Sequence, residues 1–240
     1  MQILFFDIET APEFPDYMKL PPMGQEAFKK RIKYKVGPDK DFSTYEGSYD
    51  EAPFYAEFSK VICIAVGSLV INKDDPAYDS KSEKPNMIYI KTLVGTETEI
   101  FTGLAAILEK LKPDALCAHN GKAFDYPFLC RRHLANQLPI PAILQIQGKK
   151  PWEITNLLDT MEMWRFGDMK YYVSLISLAY VFGVESPKDD MDGSMVAKAY
   201  YDGKIEDIRK YCAKDVHALV QVWLRMNYMA FIENVTIKHD

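Results

Sequence analysis

Carboxylates occupy positions in this sequence where packing would favour apolar side chains. Asp7 and Glu9 lie two residues apart in QILFFDIE (2–9), which reads as a β-strand, so both side chains project from the same face. Ile3 and Phe5 precede them on that face, which indicates that it is covered. Two buried like charges are costly unless a cation compensates them, and a divalent metal ion is the simplest compensation. The alternative interpretation places both residues beyond the end of the strand, in water.

A second pair of polar residues lies on the apolar side of the last long helix. Tyr211 and Asp215 are one helical turn apart, and both fall on the predicted buried stripe. The apolar members of this stripe are Ile208, Cys212, Leu219, Val222, Trp223 and Met226. An Asp in this position needs a partner, so it indicates a bound cation, unless it forms a structural salt bridge or lies on a surface helix whose stripe is wider than the residues given above.

The third polar site is the segment HNGKAFDYPFL (119–129). A strand is predicted to end at His119, a glycine-containing turn follows, and Asp125 stands at the start of a helix. Asp125 could be a metal ligand, or it could be an acidic residue favoured by the helix dipole, with Asn120 serving the turn.

Taken together, the three sites favour metal chemistry. Mg²⁺ and Mn²⁺ prefer oxygen ligands, and a site for two such ions requires several carboxylates within a few ångströms of one another. A central strand, the end of a neighbouring strand and a helix packed on the sheet can bring such carboxylates together.

The elements that position these residues form one predicted α/β domain over 1–240, a mixed β-sheet flanked by helices. The predicted strands are 2–9, 61–71, 87–94, 115–119 and 157–159, and the last helix is predicted over 205–229. A long polar insertion at about 11–59 follows the first strand and contains a predicted helix near 25–35. The second and third strands are joined by a polar loop that contains Asp74, Asp75 and Pro76.

Charge and cysteine content limit the possible classes of protein. The formal net charge is −5, so any binding of nucleic acid needs a local basic strip or cations in an acidic pocket. The basic run between Lys29 and Lys35 is either such a strip or a solvated helix face. The four cysteines form no metal-binding pattern and suit reduced thiols in a cytoplasmic protein. No apolar run is long enough to span a membrane.

Three ordered motifs resemble those of the DEDD 3′→5′ exonucleases. They are FDIET (6–10), N-x3-F-D (120–125) and Y-x3-D (211–215), and the tyrosine is typical of the tyrosine branch. The segments 157–168, 174–184 and 215–225 also resemble a bacterial stand-alone family related to the exonuclease domain of family B DNA polymerases.

The resemblance implies a ribonuclease H-like fold and a two-metal site that uses Mg²⁺ or Mn²⁺. Asp7, Glu9 and Asp215 would hold the ion that carries the attacking water. Asp7 would also reach the second ion, to which Asp125 would contribute directly or through water, and Tyr211 would orient the water.

The implied substrate is nucleic acid with a free 3′ end, with single-stranded DNA as the leading candidate. DNA repair or replication proteins are the candidate partners. Residues in or beside the motifs are candidate nucleic-acid contacts, namely Thr10, Asn120, Lys122 and Phe124. Phe124 would stack on a terminal base, or it could instead anchor the core. Two alternatives stay open: the same chemistry on RNA, and a catalytically silent binding module of the same fold.

Overall fold

A mixed sheet of six strands organises the chain in the computed structural model, which describes residues 2–36, 46–70, 87–185 and 191–239. The strands are β1 (Gln2–Pro12), β2 (Ser59–Val70), β3 (Met87–Val94), β4 (Ala115–Ala118), β5 (Leu157–Asp159) and β6 (Asn234–His239). The α-helices are α1 (Pro22–Val36), α2 (Glu97–Leu111), α3 (Asp125–Ala135), α4 (Thr160–Arg165), α5 (Leu175–Phe182), α6 (Val196–Tyr201) and α7 (Ile205–Met226). Short 3₁₀ helices span Tyr17–Lys19, Tyr49–Phe54, Ala142–Leu144, Pro151–Glu153 and Gly193–Met195.

The central strand β1 has a different extent of pairing on its two sides. The strand order is β5-β4-β1-β2-β3-β6. β1 runs antiparallel to β2 from Gln2 to Pro12, with a register shift between Glu9 and Thr10. It pairs with the parallel strand β4 only over Ile3–Phe5. The second half of β1 therefore extends past the end of β4, and its backbone on that side is available to other partners.

The two faces of β1 belong to two cores, as the alternation of a strand requires. Ile3 and Phe5 are fully buried and pack with α7, where the Phe5 and Trp223 rings lie 5.6 Å apart. Leu4 and Phe6 pack on the opposite face with α2 and α3. Helices thus cover both faces of the sheet, and the α/β class predicted from the sequence is confirmed.

Gly67 of β2 lies directly under helix α7. A Cβ atom at this position would stand 2.9 Å from Cγ1 of Val216, closer than real Cβ atoms come to a neighbour. A valine side chain on a helix has little rotational freedom with which to move away. The absence of a side chain at Gly67 therefore lets α7 rest close to the sheet.

A buried ion pair joins the helices α2 and α3 to the chain before β2. Arg132 donates to Glu97 from Nε (2.9 Å) and Nη2 (2.6 Å), and from Nη1 to the carbonyl of Ala56 (2.8 Å). The Glu97 carboxylate also accepts from Asn136 Nδ2 (2.8 Å) and from the N–H of Val61 (2.9 Å). Every charge in this group has partners within the protein.

The segment between β1 and β2 folds over a small core of its own. Its buried members are Tyr17, Leu20, Phe28, Ile32, Tyr49, Ala52 and Phe58. The N–H of Glu13 donates to the carbonyl of Phe58 (2.8 Å), so both ends of the segment meet beside β1. The helix expected near 25–35 is α1, and the helix itself begins at Pro22.

The structure differs from the prediction at the end of β1, at the end of the last helix and by one additional strand. β1 continues to Pro12 instead of ending at residue 9, so the segment between the first two strands runs from 13 to 58. The last helix ends at Met226, where Asn227 caps it, instead of at 229. β6 was not predicted and pairs in parallel with β3. The loop with Asp74, Asp75 and Pro76 lies outside the described residues.

Within the described ranges, no helix is both long and apolar enough to cross a membrane.

Candidate active site

Asp7 and Glu9 lie on the part of β1 that extends beyond β4. They share the face of Ile3 and Phe5, as predicted, and that face is covered by α7. Glu9 is only 8% exposed, whereas Asp7 is partly exposed. The two carboxyl groups lie close together, and burial with the neighbouring negative charges raises the pKa of both. Ionisation of both groups is therefore unfavourable unless a cation compensates them.

Asp125 reaches the same place from the turn that follows β4. The carbonyl of Asn120 accepts from the N–H groups of Ala123 (3.2 Å) and Phe124 (3.0 Å), which closes the turn before α3. The turn is tight, since a Cβ at Gly121 would stand 2.5 Å from the Cβ of Ala118. Asp125 begins α3, is 3% exposed, and accepts a hydrogen bond from the N–H of Ile8. Its carboxylate thus binds β1 between Asp7 and Glu9, where β4 no longer does.

Helix α7 brings the remaining two predicted residues, Tyr211 and Asp215. Their side chains form a hydrogen bond, and the charge of Asp215 acts on Asp7, Glu9 and Tyr211. The helix is joined to β1 by Cys212, whose Sγ lies 3.5 Å from the carbonyl oxygen and 3.6 Å from Oδ2 of Asp7. The structure therefore brings all five predicted residues to one end of β1.

The electrostatics of this cluster are those of like charges held together. Burial raises the pKa of Asp7 well above its ordinary value, and the charges of Glu9, Asp215 and Asp125 raise it further. Burial, and then the charge of Asp215, raises the pKa of Glu9 in the same way. The pKa of Asp125 is raised to about 7, mainly by burial and also by the charge of Asp159, and hydrogen bonds from backbone N–H groups partly offset this increase. Each carboxylate therefore makes its neighbours harder to ionise.

The donor set of the cluster fits hard divalent cations. Within the described parts of the chain, Asp7, Glu9 and Asp125 form no salt bridge with Lys or Arg. Ligand atoms of Asp7, Glu9 and Cys212 all lie within 4.8 Å of one another. Burial raises the pKa of the Cys212 thiol well above its ordinary value, so this group stays protonated and donates to Asp7. The carboxylate oxygens are the ligands that Mg²⁺ and Mn²⁺ prefer.

Tyr211 is kept neutral by its surroundings. Burial raises the pKa of its hydroxyl, and the charges of Asp215, Glu9 and Asp7 raise it further. A neutral hydroxyl can donate one hydrogen bond and accept others. Tyr211 is thus suited to positioning a polar group and not to removing a proton from it.

Thr10 and Asn120, two of the predicted nucleic-acid contacts, have structural partners. Thr10 is 8% exposed, and its hydroxyl donates to the carbonyl of Pro53 (2.9 Å). Asn120 adopts a left-handed conformation (φ 60°), and its N–H donates to Asp159 (2.9 Å). Thr10 therefore links the first motif to the 3₁₀ helix at Tyr49–Phe54.

Lys122 and Phe124, the other two, lie at the edge of the cluster. The Nζ of Lys122 forms a salt bridge of 2.5 Å with Glu162 on α4. Phe124 is partly buried against Phe128, with 5.2 Å between ring centroids, and it meets Phe54 edge-on at 6.2 Å. Phe54 is 62% exposed, so this pair presents an aromatic surface beside Asp125.

Asp159 holds the turn after β4 in place. Its carboxylate accepts from the backbone N–H groups of Asn120 (2.9 Å), Lys122 (3.0 Å), Met161 (2.9 Å) and Glu162 (3.2 Å). These contacts cap α4 and fix it to the turn that carries Asp125. Asp159 therefore supports the turn through backbone hydrogen bonds.

Sequence reasoning placed Cys212 on the buried stripe but did not identify its contact with Asp7, and it missed Phe54. Cys212 lies next to Tyr211 on the stripe of α7 that faces β1, so its position in the Y-x3-D motif was a usable signal. Phe54 lies in the segment between β1 and β2 and carries no local signal. Its place depends on the hydrogen bond between Thr10 and Pro53.

The basic run on α1 lies outside the carboxylate cluster. Lys29 is within 4.0 Å of Glu26, and the Arg31 guanidinium lies 4.6 Å over the Tyr55 ring. These contacts are those of a solvated helix face, which was one of the two interpretations left open.

The fold is similar to a solved structure of a DNA polymerase. The structure of the family B DNA polymerase from the hyperthermophilic archaeon Pyrobaculum calidifontis matches with a TM-score of 0.56 at 14% identity. The match covers 94% of this chain and 24% of the polymerase chain, so this chain spans about a quarter of that protein's length. At this identity the likeness shows the fold alone, which is the ribonuclease H-like fold of the exonuclease domain.

A family comparison identifies the chain more directly. No curated protein matches it. Residues 54–236 match the profile of a family described as a predicted 3′-5′ exonuclease related to the exonuclease domain of PolB. This match covers most of the chain and includes the second and third motifs. The chain belongs to this family of predicted 3′→5′ exonucleases.

Proposed function

We propose that this protein is a metal-dependent 3′→5′ exonuclease that releases nucleoside monophosphates from the 3′ end of nucleic acid, with single-stranded DNA as its substrate. One observation carries the proposal: four carboxylates from β1, α3 and α7 meet at one end of the central strand, and their mutual repulsion calls for cations. Family membership supports the direction of the reaction.

The resemblance to the exonuclease motifs assigns the carboxylates to two ions. Asp7, Glu9 and Asp215 would hold one divalent ion, and Asp7 and Asp125 would hold the other. When bound, two such ions supply an activated water on one side of the phosphorus and stabilise the departing oxygen on the other. Asp125 is fixed to the N–H of Ile8, so its position relative to Asp7 and Glu9 is set before any ligand arrives.

Tyr211 would orient the attacking water. Its hydroxyl is engaged with Asp215 and has an acceptor lone pair that can take a hydrogen bond from water. Because burial and the nearby carboxylates keep the hydroxyl protonated, it holds the water in line without taking a proton.

The aromatic pair Phe54–Phe124 supports a single-stranded substrate. Base faces are available for stacking only where a strand is unpaired, and each stacked base contributes about 1–3 kcal/mol. Phe54 is 62% exposed and Phe124 adjoins Asp125, so a base on this surface would lie beside the reacting phosphate. Lys122 can contact the backbone there by exchanging Glu162 for a phosphate.

The test is digestion of matched 5′-labelled DNA and RNA oligonucleotides, single- and double-stranded, with Mg²⁺, with Mn²⁺ and with EDTA. We expect a ladder of shortened products from single-stranded DNA that requires the metal. Asp7→Asn and Glu9→Gln should each lower the rate by about 10³-fold, because each removes a ligand charge. Glu109→Gln, an exposed glutamate on α2, is the matched control and should digest normally.

Two outcomes would overturn the proposal. Normal digestion by Asp7→Asn would remove the metal mechanism. Binding of the oligonucleotide by the wild-type protein without digestion under any metal would identify a binding module instead. Faster digestion of RNA than of DNA would keep the mechanism and replace the substrate.

A further inference from the structure

A basic pocket adjoins Tyr211 on the side of α6 and α7. Its volume is about 490 Å³, which lies in the range of pockets that hold small molecules. Four lysines line it, Lys198, Lys204, Lys210 and Lys214, together with two methionines and two aspartates. It therefore combines positive charge with an apolar wall.

Tyr211 connects this pocket to the carboxylate cluster. The residue lines the pocket, and its hydroxyl is hydrogen-bonded to Asp215. Lys210 and Lys214 flank Tyr211 on the same helix and are one turn apart, so both side chains leave α7 on the same side. Gly193 lies across from them, where a Cβ would stand 4.0 Å from the Tyr211 hydroxyl. The pocket thus begins where the reaction site ends.

The positive charge of the pocket is only partly compensated. Lys198 forms a salt bridge of 2.5 Å with Asp202. Lys204 and Lys210 form no salt bridge with any other described residue. In a chain with a net charge of −5, a cavity lined by four lysines and two aspartates is a local region of net positive charge. An anionic ligand would relieve their mutual repulsion.

The direction of hydrolysis indicates which anion arrives there. Hydrolysis forms a bond from the water oxygen to phosphorus and breaks the bond from phosphorus to O3′ of the strand. One proton of the water ends on O3′, so the strand leaves with a 3′-hydroxyl. The terminal nucleotide keeps the phosphate with the new oxygen, and the second water proton goes to that phosphate or to solvent. Because the attacking and leaving oxygens lie in line, the strand departs on the side away from the water that Tyr211 orients. The new phosphate oxygen is on the side of Tyr211, where the pocket begins.

We propose that the lysine pocket binds the phosphate of the nucleoside monophosphate product as it leaves the carboxylate cluster; this inference rests on the proposed exonuclease function. A terminal phosphate carries nearly two negative charges at neutral pH, whereas a phosphodiester carries one. Lysines therefore favour the product over the strand. Met191 and Met195 offer apolar surface to the nucleoside.

The first experiment measures binding in EDTA, without turnover. Calorimetry should show that a nucleoside 5′-monophosphate binds the wild-type protein, while the nucleoside does not. The double variant Lys204→Gln/Lys210→Gln should bind the monophosphate about fivefold to tenfold more weakly, as expected for the loss of two exposed charge contacts. Lys110→Gln/Lys149→Gln removes two exposed lysines far from the pocket in sequence and should leave the affinity unchanged.

The second experiment measures the same variants during digestion. The inhibition constant for added monophosphate should rise by a similar factor in Lys204→Gln/Lys210→Gln. The KM for an oligonucleotide and the single-turnover rate should stay as in the wild type, because neither lysine is placed in the catalytic cluster.

The outcomes separate this inference from the proposed function. A higher KM for the oligonucleotide with unchanged monophosphate binding would assign the pocket to the strand and overturn the inference. Unchanged values for both ligands would show that the pocket binds no phosphate. An inactive wild type whose monophosphate affinity still depends on the two lysines would remove the exonuclease and retain a phosphate pocket.

Discussion

Glu97 and the cluster around Asp7 are both buried acidic groups at a junction of sheet and helix, but their surroundings differ. The Glu97 carboxylate accepts two hydrogen bonds from Arg132, one from Asn136 and one from the N–H of Val61. Burial alone would raise the pKa of Glu97, but these contacts lower it below its ordinary value. In the cluster, by contrast, burial and neighbouring carboxylates act in the same direction and raise the pKa of Asp7.

The difference separates a carboxylate whose compensating charge lies in the chain from carboxylates that lack one among the described residues. The charge that compensates Glu97 is in the chain, so the carboxylate is fully paired as soon as the protein folds. Asp7, Glu9 and Asp125 have no such charge among the described residues, so the repulsion between their carboxylates is not compensated within the folded protein. The first group should respond to mutation mainly in stability, and the second mainly in function.

The largest effect on stability is expected from Arg132→Met. Glu97 would lose its cation while remaining buried, which should lower the free energy of unfolding by about 3 kcal/mol in urea titrations. Glu97→Gln/Arg132→Met should recover most of this loss, since both charges are gone. Arg131→Met, the exposed neighbour, should stay within about 0.5 kcal/mol of the wild type. A loss below about 1 kcal/mol for Arg132→Met would mean that Glu97 is not dependent on its cation.

Asp7→Asn should instead stabilise the protein. In EDTA at pH 8 this change removes one of several repelling charges, so the free energy of unfolding should rise by about 2 kcal/mol. Mg²⁺ or Mn²⁺ should stabilise the wild type and stabilise Asp7→Asn less. Glu109→Gln again serves as the exposed control. If Asp7→Asn is less stable than the wild type in EDTA, the cluster and Glu97 do not differ as described.

A smaller effect is expected from pH: the free energy of unfolding of the metal-free protein should fall by about 1 kcal/mol between pH 6 and pH 7. The pKa of Asp125 is raised from 3.8 to about 7. A raised pKa in the folded state stabilises the protein fully below the unfolded value, and this stabilisation is lost as pH rises through the folded value. The stability of the protein in EDTA should therefore fall from pH 6 to pH 7, as measured by urea unfolding. Saturating Mg²⁺ or Mn²⁺ should flatten this profile, and a profile that rises with pH in EDTA would contradict the assignment.

The sequence was sufficient for the framework of the molecule because local signals agreed with the fold. Five strands were predicted near their observed positions, and the alternation in β1 placed Asp7 and Glu9 on the covered face. Helical spacing likewise placed Tyr211 and Asp215 on the side of α7 that meets the sheet. These predictions rest on periods of 2 and 3.6 residues, which are properties of short segments.

Features that depend on distant partners could not be predicted. β6 is the short segment NVTIKH, which forms a strand by pairing in parallel with the edge of β3. The extension of β1 to Pro12 depends on pairing with Ser59 of β2. Lys122 has Glu162 as its partner, forty residues along the chain. The pocket beside Tyr211 draws its lysines from two helices and the turn between them, so its charge is visible only in three dimensions.

Gly67 influences the spacing of the carboxylates without contacting any of them. Because it has no side chain under Val216, helix α7 can pack close to the sheet. Val216 directly follows Asp215. A side chain added at Gly67 would therefore move α7 away from the sheet, together with Asp215, the carboxylate that α7 contributes to the cluster. The spacing between Asp215 of α7 and the acidic pair of β1 therefore depends on a glycine of β2, a residue that carries no charge.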